Sequence, residues 1–143
     1  MSRSTRTACG ADDMTAIPER YRYLTDQPLF AHLATVRPDG SVQSNPMWFQ
    51  VVGDEVRFTH TSKRQKLKNL QANPTMSLSI VDPQDPLLYV EIRGHLAGVI
   101  DDPTGSFYVT LQNRYGNPST QAPPDSPDRI ILRMAIDKVT GRV

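Results

Sequence analysis

Apolar side chains recur at every second position near the end of the chain, and this period constrains the fold more than any other feature. In "RIILRMAIDK" the residues Ile130, Leu132, Met134 and Ile136 fall two apart. Successive side chains of a β-strand point to opposite faces, so this spacing predicts a strand with one apolar face. "TMSLSIVD" at 75–82 repeats the pattern. The chain is therefore expected to form a sheet that covers one core.

Six strands are predicted after residue 28. They are "LFAHLATV", "SVQSNPMWFQVV", "EVRFTHT", "TMSLSIVD", "LLYVEIRGHLAGVI" and "RIILRMAIDKVTGRV". Turns at 37–40 and 53–54 join the first three strands, which predicts an antiparallel meander. Pro46 indicates an edge or a bulge because proline lacks a ladder donor, and Gly94 indicates a bend. The pattern predicts a mainly β fold, a small barrel with few helices.

Helices are predicted where this period of two is lost. In "SKRQKLKNLQANP", Leu67 and Leu70 lie three apart and share one side of a helix. Ser62 is the expected N-cap, and Asn73-Pro74 the expected stop. Further helices are predicted in "IPERYRYL" and "DPTGSFYVTLQNRYG". The chain lacks strand–helix alternation and a GxGxxG motif, which argues against a doubly wound sheet.

Length and charge limit the possible functions. The 143 residues predict a single domain over 15–143, after a polar tail at 1–14 that is expected to be disordered. A net charge of +1 argues against binding DNA or an acidic membrane through the overall field. No membrane-spanning run or signal-peptide core is visible, so the cytoplasm is the expected compartment. Cys9 is the sole cysteine, which excludes an internal disulfide.

Positive charge is concentrated directly after the third predicted strand. Four cations lie within six residues, namely Lys63, Arg64, Lys66 and Lys68. A helix that begins here would add free N–H groups and the positive end of its dipole, which together favour an anion such as a phosphate. Nearby hydroxyl donors are Thr59, Thr61 and Ser62. The alternative interpretation is a solvated helix face that carries surface lysines.

The chain lacks the usual catalytic side-chain groupings. His32, His60 and His95 lie far apart without ligand spacing, so no metal site is expected. No GxSxG motif is present either. His60 either contacts a ligand beside the cationic segment or is a solvated or core-edge histidine. An enzyme of this composition needs a cofactor that carries the chemistry.

The tryptophan in "SNPMWFQ" has two interpretations. Trp48 either packs in the core or forms a wall for a flat aromatic ligand, with Asn45 as a polar contact. The segment "LYVEIRG" is by its period alone a central strand, with Glu91 and Arg93 outside or at an interface. The residues themselves leave these alternatives open.

The order of these features resembles a known family. The segments "LATVRPDGSVQSNPMWF", "KRQKLKNLQANP" and "YVEIRG", within about residues 29–99, are similar to the flavin/deazaflavin oxidoreductases of the split β-barrel fold. These enzymes are relatives of pyridoxamine 5′-phosphate oxidase, and the similarity is greatest to the mycobacterial and actinobacterial branch that uses coenzyme F420. The resemblance implies a six-stranded antiparallel, FMN-binding-like split barrel. The ending "DKVTGRV" lacks the Arg-x-His-type motif of pyridoxamine phosphate oxidases proper, so that activity is not expected.

The resemblance also implies a homodimer with two cofactor sites at the subunit interface. The residues that it assigns to the cofactor phosphate are Thr59, Thr61, Lys63, Arg64 and Lys66, with Asn69 supporting them. Those that it places along the tricyclic ring are Asn45, Pro46, Met47 and Trp48. Those expected to approach from the partner chain are Leu88, Tyr89 and Glu91.

The activity implied is an F420-dependent oxidoreductase. It would transfer a hydride between the deazaflavin ring and a small unsaturated or aromatic substrate, without an obligatory side-chain catalyst. FMN also has a phosphate and a flat ring, so an FMN-binding oxidoreductase of the same fold stays open. A protein that binds or sequesters F420 without turnover is the third possibility. Nucleic acid binding is not expected, because the chain lacks a wider basic face.

Overall fold

The computed structural model describes residues 16–143, and the predicted tail at 1–14 lies outside them. The strands in this part are β1 (Ala31–Val36), β2 (Val42–Met47), β3 (Gln50–Val52), β4 (Glu55–Thr61), β5 (Thr75–Val81), β6 (Tyr89–Asp101) and β7 (Arg129–Arg142). The helices are α1 (Arg22–Thr25), α2 (Gln65–Ala72) and α3 (Ser106–Arg114), with 3-10 turns at Glu19–Tyr21 and Ser126–Asp128. No helix among these residues is long and apolar enough to cross a membrane.

One antiparallel sheet contains all seven described strands, in the order β2-β1-β5-β6-β7-β4-β3. The two long strands β6 and β7 form its centre, with Tyr89 opposite Arg142 at one end and Asp101 opposite Ile130 at the other. Apolar side chains from five strands meet on the inner face, and the fully buried ones include Leu33, Phe58, Leu78, Ile92 and Leu132. The mainly β, antiparallel fold predicted from the period of two is confirmed.

The second predicted strand is in fact two strands at opposite edges of the sheet. The chain leaves β2 at Met47 and starts β3 at Gln50, so the sheet has seven strands and the expected three-strand meander is wrong. Phe49 lies between them and is fully buried. Its N–H donates to Tyr115 Oη at 3.0 Å, and its carbonyl accepts from Arg114 Nε at 3.2 Å. Arg114, the last residue of α3, and Tyr115, its C-cap, thus bind the backbone groups that a strand partner would otherwise bind.

Two irregular strand positions occur where proline and glycine predicted them. Pro46 lies on β2, an edge strand of the sheet. The register between β6 and β7 shifts between Arg93 and Gly94, which is a bulge or irregularity. A Cβ atom at Gly94 would collide with the backbone carbonyl oxygen of Ala135. The absence of a side chain therefore permits the close approach of these two strands.

Helix α2 begins at Gln65, two residues later than an N-cap at Ser62 would require. Arg64 is the N-cap, with φ −92° and ψ 157°, and no side chain caps the helix. The Ser62 N–H instead donates to the carbonyl of Asp128 at 3.0 Å, so the expected Ser62 cap is wrong. The predicted stop is confirmed, since α2 ends at Ala72 and Asn73 is its C-cap.

Candidate functional site

A cavity of about 650 Å³ lies among residues from β2, the end of β4, the start of α2 and the start of β7. Its volume falls in the range of small-molecule and cofactor sites. The lining residues are Phe30, Gln43, Asn45, Pro46, Met47, Trp48, Thr59, His60, Arg64, Gln65, Lys66 and Arg129. Segments that are distant in sequence therefore meet at one concave surface.

Lys66 is the most deeply placed cation of the cavity. The residue is only 4% exposed, and its Nζ donates to Asn45 Oδ1 at 2.8 Å. Burial, and secondarily the guanidinium of Arg64, lower the pKa of the Lys66 amine. Among residues 16–143 no carboxylate forms an ion pair with Lys66 or Arg64. The cavity therefore presents two cations whose charge no carboxylate neutralises.

A chain of amide side chains holds the acceptor of Lys66 in place. Asn45 Oδ1 also accepts from Gln43 Nε2 at 2.9 Å. Asn69 lies behind the lining, is fully buried, and donates to Gln43 Oε1 at 3.0 Å and Thr35 Oγ1 at 3.1 Å. Gln65 Nε2 donates to Asn69 Oδ1 at 2.9 Å. This continuous network connects α2 with β1 and β2 and fixes the position of the Lys66 amine.

His60 reaches the cavity from the end of β4. The residue is 6% exposed, and its Nε2 is buried without a hydrogen-bond partner in the described part of the chain. Burial, followed by the charges of Lys66, Arg64 and Arg129, lowers the pKa of His60 to about 4. The imidazole is therefore neutral at pH 7 in the ligand-free protein.

Arg129 is a lining cation that no sequence motif pointed to. It stands at the start of β7 opposite Thr61, and only the pairing of β4 with β7 brings it to the cavity. Its guanidinium bonds both oxygens of Asp125, at 3.0 and 3.2 Å, and lies 4.7 Å from the ring centre of Tyr108. Phe30, Gln43 and Gln65 were also missed, because exposed or polar residues without a motif give no signal in one sequence.

Aromatic rings form a cluster at one side of the cavity. The ring of Trp48 stacks on Tyr115, with centroids 5.2 Å apart and an interplanar angle of 16°. Tyr108 tilts against Trp48 at 5.8 Å, and Phe30 tilts against Tyr115 at 5.9 Å. Trp48 and Phe30 line the cavity. Trp48 is half-buried and lies outside the apolar core, so the core interpretation is wrong. Its ring packs on neighbouring rings and lines the cavity, and its contact with a flat ligand stays a prediction.

The structure brings together seven of the thirteen residues that the resemblance assigned to the site. These are Asn45, Pro46, Met47, Trp48, Thr59, Arg64 and Lys66. The lining does not include Thr61, Lys63, Asn69, Leu88, Tyr89 and Glu91. Lys63 is exposed and lies 3.3 Å from Asp128, and Thr61 is buried at the end of β4.

The three residues assigned to a partner chain lie on or next to β6. Tyr89 is 39% exposed, and Glu91 pairs with Arg93 at 3.3 Å and accepts from Thr140 at 3.0 Å. Leu88 immediately precedes the strand. Their approach to the site of a second copy stays a prediction. Among residues 16–143, no group of three or more His, Cys, Asp or Glu residues has the geometry to hold a metal ion.

Comparisons with known proteins agree with this architecture. The chain matches the pyridoxamine 5′-phosphate oxidase family over residues 17–142. It is similar to a solved F420 reductase, with 47% sequence identity, a TM-score of 0.83, and coverage of 87% of this chain and 98% of that chain. A search of curated proteins finds no match.

More distant structures share the fold alone. A conserved hypothetical protein from Mycobacterium tuberculosis has 21% identity and a TM-score of 0.71, over 89% of this chain and 85% of that one. General Stress Protein 26 from Bacillus anthracis has 18% identity and a TM-score of 0.67, over 87% and 92%. With its family match over residues 17–142 and a relative at 47% identity, the chain belongs to the pyridoxamine 5′-phosphate oxidase family of split β-barrel flavin and deazaflavin oxidoreductases.

Proposed function

We propose that this protein is an F420-dependent oxidoreductase that transfers a hydride between the deazaflavin ring and a small unsaturated or aromatic substrate. The observation that supports this proposal most directly is that Arg64 and Lys66 line a cavity of cofactor size and form no ion pair with a carboxylate among residues 16–143. A buried ammonium bound only to an amide oxygen is costly, and an anionic group beside it reduces that cost. The 47% identity to an F420 reductase supports a deazaflavin as the cofactor.

The phosphate group of the cofactor fits the cationic end of the cavity. Arg64 is exposed at the N-cap of α2, where its guanidinium offers paired donors to a phosphate. Lys66 supplies a point charge that Asn45 orients. Thr59 adds a hydroxyl, and the first residues of α2, Gln65 and Lys66, line the same cavity, where the free N–H groups of a helix start favour an anion.

The place that we propose for the ring is along Pro46, Met47 and Trp48, which also line the cavity. When bound, the deazaflavin supplies the hydride chemistry. The protein positions the ring against its apolar wall, restricts the access of water, and orients the substrate on the free face. Such a role requires no acid–base pair of side chains.

We further propose that the active form is a homodimer in which Leu88, Tyr89 and Glu91 approach the site of the second copy. FMN is the alternative cofactor, because its phosphate and flat ring match the same cations and the same wall. The physiological setting proposed is the cytoplasm, and the ligand classes are a cofactor and a small-molecule substrate.

The test is a binding titration of F420 and of FMN, with Arg64→Ala, Lys66→Ala and the control Lys68→Ala. Lys68 is exposed on α2 and does not line the cavity, so its removal leaves affinity unchanged. Each cavity variant is expected to lose roughly 1.5–3 kcal/mol of binding free energy, the value of a charge-assisted contact. Equal affinity in all four proteins would remove the phosphate role.

Turnover distinguishes an enzyme from a protein that only holds the cofactor. Reduced F420 should be oxidised when a panel of quinone-like electrophiles is added, and the return of the visible absorbance and fluorescence of the oxidised deazaflavin reports this. Tight F420 binding without turnover on any acceptor would instead favour sequestration. Tighter binding of FMN than of F420 would indicate that FMN is the cofactor.

A further inference from the structure

His60 is placed by β4 at the boundary between the core and the cavity. Val56, Phe58 and His60 alternate along the strand, and the first two are fully buried in the apolar core. His60 occupies the next position of that face, where the core ends and the cavity begins. The alternation along β4 would place an apolar residue here, yet the chain has a histidine that is only 6% exposed.

The buried Nε2 atom of His60 has no hydrogen-bond partner among residues 16–143. Leaving a buried polar atom unpaired is costly, so such atoms are rare and call for an explanation. His60 lines the cavity, which is large enough for a ligand. Nε2 itself has essentially no exposed surface, so a bound group that accepts a hydrogen bond would reach the imidazole through a ring N–H turned toward the cavity.

The charged groups around His60 come from three elements and are mainly positive. They are Lys66 on α2, Arg64 in the turn before it and Arg129 on β7. Asp125 bonds Arg129 and so offsets part of its charge, and Asp128 pairs with the exposed Lys63. Neither carboxylate bonds the imidazole. His60 therefore faces a field that repels a proton while the cavity holds no anion.

We propose that His60 is an anion-binding residue of this cavity, which donates a ring N–H to the bound anion and takes up a proton as the anion binds. The inference rests on the anion-binding role proposed above and adds a residue that neither the family match nor the cationic motif assigns. The negative charge offsets the three cations, and its oxygen gives the ring an acceptor. Both effects favour the imidazolium.

The sign of the pH dependence follows from this coupling. The ligand-free protein holds His60 neutral because burial and the cations lower its pKa to about 4. In the complex the pKa of His60 is higher. At a pH between the pKa of the free protein and that of the complex, binding is therefore accompanied by the uptake of a proton. Affinity therefore increases as the pH falls toward 5, by up to about tenfold per pH unit for one proton.

The first experiment follows the His60 imidazole of the wild-type protein by NMR, with and without inorganic sulfate. Sulfate keeps its charge across this range, whereas a phosphate monoester has a second pKa of about 6 and titrates itself. We expect the His60 pKa to increase when sulfate is present. The same pKa with and without sulfate would overturn the proposal, whatever the natural cofactor is.

The second experiment measures proton uptake on F420 binding by calorimetry in two buffers of different ionisation enthalpy. His60→Gln keeps a side-chain hydrogen-bond donor but does not titrate. On binding F420 this variant should therefore take up fewer protons than wild type, by as much as about one. Subtraction removes any proton that the coenzyme itself exchanges. His32→Gln is the matched control, since His32 is exposed on β1 and does not line the cavity.

The two experiments separate the proposals. Equal proton uptake in wild type and His60→Gln would overturn the role of His60. Failure of F420 to bind, together with a sulfate-dependent His60 pKa, would reject the cofactor and keep the histidine.

Discussion

Lys66 Nζ lies 2.8 Å from Asn45 Oδ1, and this bond joins the first turn of α2 to the edge strand β2. The acceptor is neutral and also accepts from Gln43. The burial of the Lys66 ammonium is thus compensated only in part, as the lowered pKa of its amine indicates. The free protein holds this cation at a cost in stability, and the cavity gains a charge for an anion.

The first prediction separates these two effects by Lys66→Met. The thioether side chain keeps the volume and removes the buried charge, while Asn45 Oδ1 retains its bond from Gln43. We expect unchanged or increased stability of the ligand-free protein in urea unfolding, together with loss of F420 affinity. Lys68→Met should change neither. A marked destabilisation would show that the ammonium stabilises the fold.

The second prediction concerns the amide network behind the cavity. Asn69→Ala removes the partner of Thr35, Gln43 and Gln65 at a fully buried position. Unsatisfied buried polar groups and lost bonds predict destabilisation by about 2–4 kcal/mol. Urea unfolding measures it, and Gln71→Ala on the exposed side of α2 is the control. Equal stability of the two variants would contradict the role of the network.

The third prediction addresses the break between β2 and β3. The Tyr115 hydroxyl donates to the Leu29 carbonyl at 2.6 Å and accepts from the Phe49 N–H at 3.0 Å. Tyr115→Phe leaves both backbone groups without this partner, so we expect a loss of about 1–3 kcal/mol by thermal unfolding. Tyr108→Phe is the matched control, since the structure shows no hydrogen bond from its hydroxyl to another residue of 16–143.

The fourth prediction concerns the bulge in β6. A methyl group at Gly94 meets the backbone oxygen of Ala135, which has little freedom to move. Gly94→Ala should therefore destabilise the protein by about 1–3 kcal/mol or more. Gly98→Ala meets only the end of the Arg133 side chain, at 3.0 Å, and should cost less. Similar melting temperatures for the two variants would argue against the close strand approach.

The fifth prediction uses the pH dependence of stability. Hydrogen bonding from Arg133, which donates to both carboxylate oxygens, is the largest cause that lowers the pKa of Glu55, and Arg57 donates a third bond. The unfolded chain then binds more protons than the folded one below about pH 5, so stability decreases as the pH falls through that range. Glu55→Gln should weaken this decrease in urea unfolding. Glu19→Gln, a substitution at an exposed position, should leave this decrease unchanged.

Local sequence signals were sufficient for the elements that depend on neighbouring residues. The alternation of Met76, Leu78 and Ile80 predicted β5, and Pro46 and Gly94 predicted an edge and an irregular strand. They failed at Trp48 and Phe49. The bonds that separate β2 from β3 come from Arg114 and Tyr115, more than 60 residues later, and leave no mark in the local pattern.

The cavity divides in the same way between local and distant causes. Arg64 and Lys66 are visible as a cationic cluster because they lie close together in the chain. Arg129 becomes a lining residue only because β7 pairs with β4, and His60 acquires its surroundings from α2 and β7. The alternation of apolar residues predicts a strand but does not indicate which strands pair with each other.

The sequence by itself determined the strand-forming segments, the single core and the concentration of positive charge after β4. These follow from side-chain order along the chain. The tertiary structure decided which cation is buried, which amide orients it and which imidazole lies beside it. Burial and charge proximity depend on distances across the sheet, and those distances exist only after the chain has folded.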